Sequence, residues 1–153
     1  MQKEKLERAQ VRRALEEAVL EVLETMCFEF PVAEPEEGEA PQKEGVHAAA
    51  RFDGSLKGVL RIALTGEAPR RLAAAFLGLA DDEVGERETM QMACELANML
   101  CGATMSRLEP HGRLRIAAPE ASRVTGACGG ACWLCFPLEA GLLAATLCLE
   151  EES

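Results

Sequence analysis

Within "MACELANMLCGATM", residues 92–105, a carboxylate and a carboxamide stand one helical turn apart among apolar neighbours. These are Glu95 and Asn98. Positions three and four apart share a face of a helix, so Gln91, Glu95, Asn98 and Gly102 form one narrow polar stripe. Met92, Leu96, Met99 and Leu100 occupy the other faces. An amide donates and accepts hydrogen bonds, and so can hold a water molecule in a fixed orientation. A carboxylate one turn away can pair with a cation on a docking partner. Gly102 lets a second surface come close to the helix. The same spacing also describes the solvated side of an ordinary amphipathic helix. Against that, Glu95 is the only charge in the stripe, whereas ordinary exposed faces mix Lys and Glu.

Other chemistry has weaker support. Cys132 and Cys135 have the Cys-x-x-Cys spacing used by zinc and redox sites, with Cys128 close by. Four ligands are not assembled, no helix start follows the pair, and the two would point to opposite faces of a strand. No metal site is therefore expected. His47 and His111 have no Ser or Cys partner at a recognisable motif spacing. No Gly-rich phosphate loop precedes a helix.

The elements that must carry the stripe follow from periodicity. A first helix is expected over 3–26, with Leu15, Val19, Val22 and Leu23 on its apolar face. Cys27 to Val32 is expected as a short edge strand, followed by an acidic, Pro-rich loop at about 31–44. Two apolar runs around "DGS" predict a hairpin with strands at about 46–53 and 56–64. "EAPRRLAAAFLG" has helix punctuation in Pro69 and Gly78. Asp81 and Asp82 then cap a long helix from about Glu83 to Leu108. "RLRIAAP" reads as a strand stopped by Pro119, and "CWLCFPL" with "LLAATLCL" as a closing hairpin. The fold class is α+β, a two-layer domain of long helices on a mainly antiparallel sheet. The 153 residues form a single domain. Trp133 is expected in the sheet, packed against a helix or a subunit interface.

Charge narrows the partners. The formal net charge is -10, from 26 acidic and 16 basic residues, a field that repels phosphate backbones and anionic lipid heads. Nucleic acid and membrane are excluded as expected partners, and no apolar run reaches transmembrane length. The N-terminus carries charge rather than an apolar signal segment. With seven cysteines, an odd number, a cytoplasmic protein is expected rather than a disulfide framework.

The stretch "ACELANMLCGATMSRLEPHGRLRIAAP" resembles the signature of the CheX-like branch of the CheC/CheX chemotaxis phosphatases. That signature is Glu-x-x-Asn on a long helix, followed by a Pro that closes a strand; Glu95, Asn98 and Pro119 match it. "VLETM", "FDGSLKGVLRIAL" with its Gly-x-x-x-Gly, and "RRLAAAFLG" resemble the same family in the same order. Gln91 stands where the family has Asp or Ser, and the Asn-to-Pro gap is slightly shorter. The first helix offers Glu21 and Glu24 but no Asn, which leaves one site, as in CheX.

The resemblance implies a CheC/CheX-like fold and a phosphatase for the aspartyl phosphate of a CheY-type response regulator. Asn98 would align the attacking water and Glu95 would pair with a Lys of the receiver. Gln91 and Gly102 would belong to the partner-binding surface. No cofactor would be bound by this chain, and Mg²⁺ would sit on the receiver. Association through the sheets into a homodimer is also implied. The alternative is a non-catalytic module that binds a receiver or a flagellar switch component.

Overall fold

Apolar residues at every second position become strands here, and those spaced three and four apart become helices. The computed structural model describes residues 7–39, 41, 44–124 and 132–150. In chain order the elements are α1 (Arg8–Val22), β1 (Glu36–Gly38), β2 (Gly45–Gly54), β3 (Gly58–Gly66), α2 (Ala68–Leu77), α3 (Glu86–Leu108), β4 (Leu114–Ile116), β5 (Glu120–Val124), β6 (Trp133–Leu138) and β7 (Gly141–Leu149). The strands form one antiparallel sheet in the order β1-β6-β7-β3-β2-β4, with β5 also paired to β2.

The helices cover one face of this sheet. Val46, Ala48, Ala50 and Phe52 of β2 meet Leu60, Ile62 and Leu64 of β3, Leu143 and Ala145 of β7, and Leu134 and Phe136 of β6. Against them pack Leu15, Val19 and Val22 of α1, Leu72 of α2, and Met92, Leu96 and Leu100 of α3. Each fully buried Leu or Ile contributes about 1.5–3 kcal/mol of transfer free energy. The result is the expected two-layer α+β architecture. No described helix is long and apolar enough to cross a membrane.

Three expectations need correction. Over Cys27–Val32 there is no strand. α1 runs on into a π-helical turn, Leu23–Cys27, which buries Leu23 and Cys27 and ends at Phe28 in a left-handed conformation with φ 55. Phe28, Phe30 and Val32 are exposed, and Val32 reaches the sheet through one bond, its N–H donating to the Pro137 carbonyl. Their alternation imitates a strand, but the edge of β6 is taken by β1. That strand forms inside the expected acidic loop, with Glu36 opposite Cys135 and Gly38 opposite Trp133.

The long helix begins at Glu86, later than expected. Asp81–Glu83 is a 3₁₀ turn instead of a cap, and Gly85 is the N-cap of α3. The Glu83 and Glu88 carboxylates each accept the N–H three residues back, from Ala80 at 2.8 Å and Gly85 at 3.0 Å. The chain is thus punctuated twice. Glu86 and Glu88 also suit the positive end of the helix dipole.

The strand expected to stop at Pro119 ends earlier, at Ile116, and the chain rejoins the ladder at Glu120. Both β4 and β5 pair with β2, with Ile116 opposite Phe52 and Glu120 opposite Ala49. Ala117, Ala118 and Pro119 therefore span the ladder against only Ala50 and Arg51. One extra residue on one strand is a β-bulge. The Ala117 N–H still donates to the Arg51 carbonyl at 2.8 Å. Proline has no N–H to give a ladder, and a bulge is one of the few strand positions that tolerate it.

The second face of the sheet carries a smaller cluster, Trp133 on Ala63 and Ala144. Trp133 is buried here, away from the helices. Its ring lies 6.4 Å from that of His47, tilted by 46°. Small side chains on the two strands between allow that approach, since His47 stands opposite Ala63 and Ala63 opposite Ala144. His47 Nε2 and Trp133 Nε1 are buried without a hydrogen-bond partner among the described residues. Burial lowers the His47 pKa from 6.5, favouring the neutral ring in the folded state.

The sign of the linkage follows. The folded protein holds His47 neutral more strongly than the unfolded chain does. Its contribution is therefore full above pH 6.5 and is lost as pH falls below that value toward the depressed folded pKa. Urea unfolding should show falling stability from pH 7 to pH 5, with a shallower fall in His47→Phe. Equal slopes would show that His47 is not the group responsible.

Candidate functional site

α3 is fixed in rotation by its inner face. Thr89, Met92, Ala93, Leu96, Ala97, Leu100, Cys101, Thr104 and Met105 are buried, and that spacing forces Gln91, Glu95, Asn98 and Gly102 outward. Gln91 and Glu95 are exposed, Asn98 and Gly102 half-buried. At the C-terminal end of the helix, Arg107 donates to Glu21 at 3.1 Å and to the Ala103 carbonyl at 2.9 Å, and lies 3.7 Å from Glu17. This ties α3 to α1.

The edge segment from β4 to β5 runs antiparallel along α3 and makes a second wall. Near the helix start, the Arg123 guanidinium holds both carboxylate oxygens of Glu86, with contacts of 2.8–3.0 Å. That hydrogen bond also lowers the Glu86 pKa. Further along, the Cys94 thiol donates to the Pro119 carbonyl at 3.7 Å. Further still, a Cβ on Gly102 would lie 4.0 Å from Ile116 Cδ1. Asn98 sits one turn from both Cys94 and Gly102. The segment opposite it carries Ala117 and Ala118, both exposed, and half-buried Pro119.

The site is thus the seam between α3 and this edge segment, with small side chains on one side and Glu95 and Asn98 on the other. Among the described residues no hydrogen bond or ion pair engages either side chain. The amide is free to bind something that is not part of this fold. Negative charge gathers around the seam: the Cys94 thiol pKa is raised first by burial, then by Glu95 and Glu120.

All four stripe residues expected from the sequence lie on one side of α3. Glu21 of α1 is engaged by Arg107. Sequence reasoning missed Cys94, Ile116 and Arg123. Cys94 had a readable signal, because it lies one turn before Asn98. Arg123 had none, because its partner Glu86 is brought near only by the bulged strand. Cys132 lies just before β6 and Cys135 within it; Cys128 lies outside the described residues. Among the described residues no three His, Cys, Asp or Glu side chains are close enough together to hold a metal ion.

Comparison with known proteins adds the family. The sequence model described as "Chemotaxis phosphatase CheX" matches residues 46–139. No curated protein sequence matches the chain. Among solved structures, the chemotaxis protein CheX from Vibrio vulnificus is similar with a TM-score of 0.76 at 19% identity, covering 95% of this chain and 100% of that one. A CheC-like superfamily protein from Shewanella sp. PV-4 is similar with a TM-score of 0.76 at 18% identity, over 95% and 100%. The CheX–CheY–BeF3–Mg complex from Borrelia burgdorferi matches with a TM-score of 0.70 at 19% identity, over 92% and 98%.

Gly102 offers a direct check on the seam. A Cβ there makes only ordinary contact with Ile116, and Gly inside a helix costs about 0.5–1 kcal/mol relative to Ala. Gly102→Ala should therefore raise the urea midpoint slightly. A marked loss of stability would mean that Gly102 serves the fold and not an approaching surface.

Proposed function

Since the chain belongs to the CheX family of chemotaxis phosphatases, we propose that it speeds hydrolysis of the aspartyl phosphate on a CheY-type response regulator. The observation that carries this reading is the half-buried Asn98 amide, which no described side chain engages, beside exposed Glu95 on the outer face of α3. The likeness to the CheX–CheY complex supports a receiver as the partner.

In this reading the receiver docks along α3 and its own Mg²⁺ neutralises the phosphoryl oxygens. Asn98 enters the receiver site and accepts a hydrogen bond from a water molecule, aiming its oxygen at phosphorus in line with the leaving carboxylate. The water oxygen bonds to phosphorus and the bond from phosphorus to the aspartyl oxygen breaks. That electron pair returns to the receiver carboxylate, and inorganic phosphate leaves. Phosphoryl transfer is mostly positioning and charge stabilisation, so one placed amide suffices. Glu95 pairs with the receiver Lys and sets the register. Gln91 and Gly102 lie under the docked surface. The chain binds no cofactor of its own in this mechanism. The setting is cytoplasmic, where receivers act, and two copies associate through the sheets.

Gln91, standing where the family has Asp or Ser, favours a second reading: a module that binds a receiver without hydrolysing it. Phosphate release from a panel of phosphorylated receivers separates the two. Asn98→Ala should lose about a hundredfold in accelerated release, roughly 2.7 kcal/mol of transition-state stabilisation, with an unchanged thermal melt. If that variant still accelerates release, Asn98 is not the catalytic group. Glu95→Ala should weaken receiver binding about three- to tenfold with a smaller effect on the saturated rate. Unchanged affinity would remove Glu95 from the docking surface.

A further inference from the structure

Resting on the phosphatase reading, we infer that the bulge at Ala117–Pro119 is a positioning wall for Asn98, and that Cys94 is the positioning residue that holds it. An edge strand needs a reason to carry an extra residue, because bulging breaks the regular ladder and twists the strand. Here the extra residue falls between Ile116 and Glu120, beside the turn of α3 that bears Asn98.

Two contacts on either side of Asn98 pin the bulge to the helix. On one side the Cys94 thiol reaches the Pro119 carbonyl at 3.7 Å. On the other, Ile116 Cδ1 lies 4.0 Å from where a Cβ on Gly102 would stand. Between these contacts the bulge offers the amide methyl groups and a proline ring. None of these side chains can hydrogen-bond an amide. A regular strand would place one residue fewer between Ile116 and Glu120 and draw this wall along the helix.

Cys94 suits the task. A thiol is a weak donor and fits a crowded helix–strand contact. Burial and the nearby Glu95 and Glu120 favour its protonated form, so the donor persists at neutral pH. The Arg123–Glu86 pair fixes the start of α3 to β5, but it is exposed and screened by salt. That leaves the inner contact at Cys94 as the one nearest Asn98.

The test separates the saturated rate from affinity. Cys94→Val keeps the volume and removes the donor, and Cys94→Ser restores one. With a responsive receiver, Cys94→Val should lower kcat about three- to tenfold, with KM within twofold of wild type and faster amide exchange at Ala117, Ala118, Glu120 and Ala121. Cys94→Ser should recover at least half of the lost rate. Cys94→Ala, which adds no branched side chain to the helix, supplies the same comparison if the valine variant folds poorly. Wild-type kcat in both donor-free variants overturns the inference and leaves the phosphatase reading standing. A wild-type protein that accelerates no receiver overturns both.

Discussion

The packing of Met92, Leu96 and Leu100 against the sheet is the constraint on which the rest of the site depends. Successive residues of a helix differ by about 100° in direction. A rotation of α3 by one position would send Leu96 toward solvent and Asn98 toward the core. The core prevents this because these side chains are fully buried among residues of β2, β3 and the neighbouring helices. Burial of apolar groups therefore sets the direction of the Asn98 amide. Arg107 adds a second restraint at the far end by joining α3 to α1.

The second wall of the seam has a different origin. It is an edge, and among the described residues no further strand pairs with its outer side. β4 and β5 share β2 as their partner, and the register changes between them. The change turns part of the edge toward α3 where the helix carries Cys94, Asn98 and Gly102. The seam is thus a meeting of one regular element with one deliberately irregular one.

The legible parts of the molecule were those with sustained local pattern. α3 and both hairpins showed in the spacing of their apolar residues, and the polar stripe was visible before any coordinates. The parts that escaped were short or decided at a distance. β1 has three residues and an acidic composition with low strand propensity; it forms because β6 leaves an edge beside it. The π-helical turn after α1 buries Leu23 and Cys27, and the alternation of Phe28, Phe30 and Val32 beyond it imitates a strand. Pro119 carried a true signal of interruption, but proline alone does not distinguish the end of a strand from a bulge within it. The family resemblance made the stripe the expected site, whereas the opposing wall emerged only from the pairing of β4 and β5.

Among the described residues no hydrogen bond or ion pair engages the side chains of Asn98 or Glu95. The seam around them is made from backbone, glycine, alanine and a proline ring, while the fold rests on the buried faces behind. Under the proposed mechanism, folding and chemistry fall to separate residues. Over evolutionary time, one substitution at Asn98 could silence hydrolysis without an accompanying penalty in foldedness. The shape left behind would remain available for binding, and such a scaffold can drift between enzyme and adaptor in either direction by very few steps.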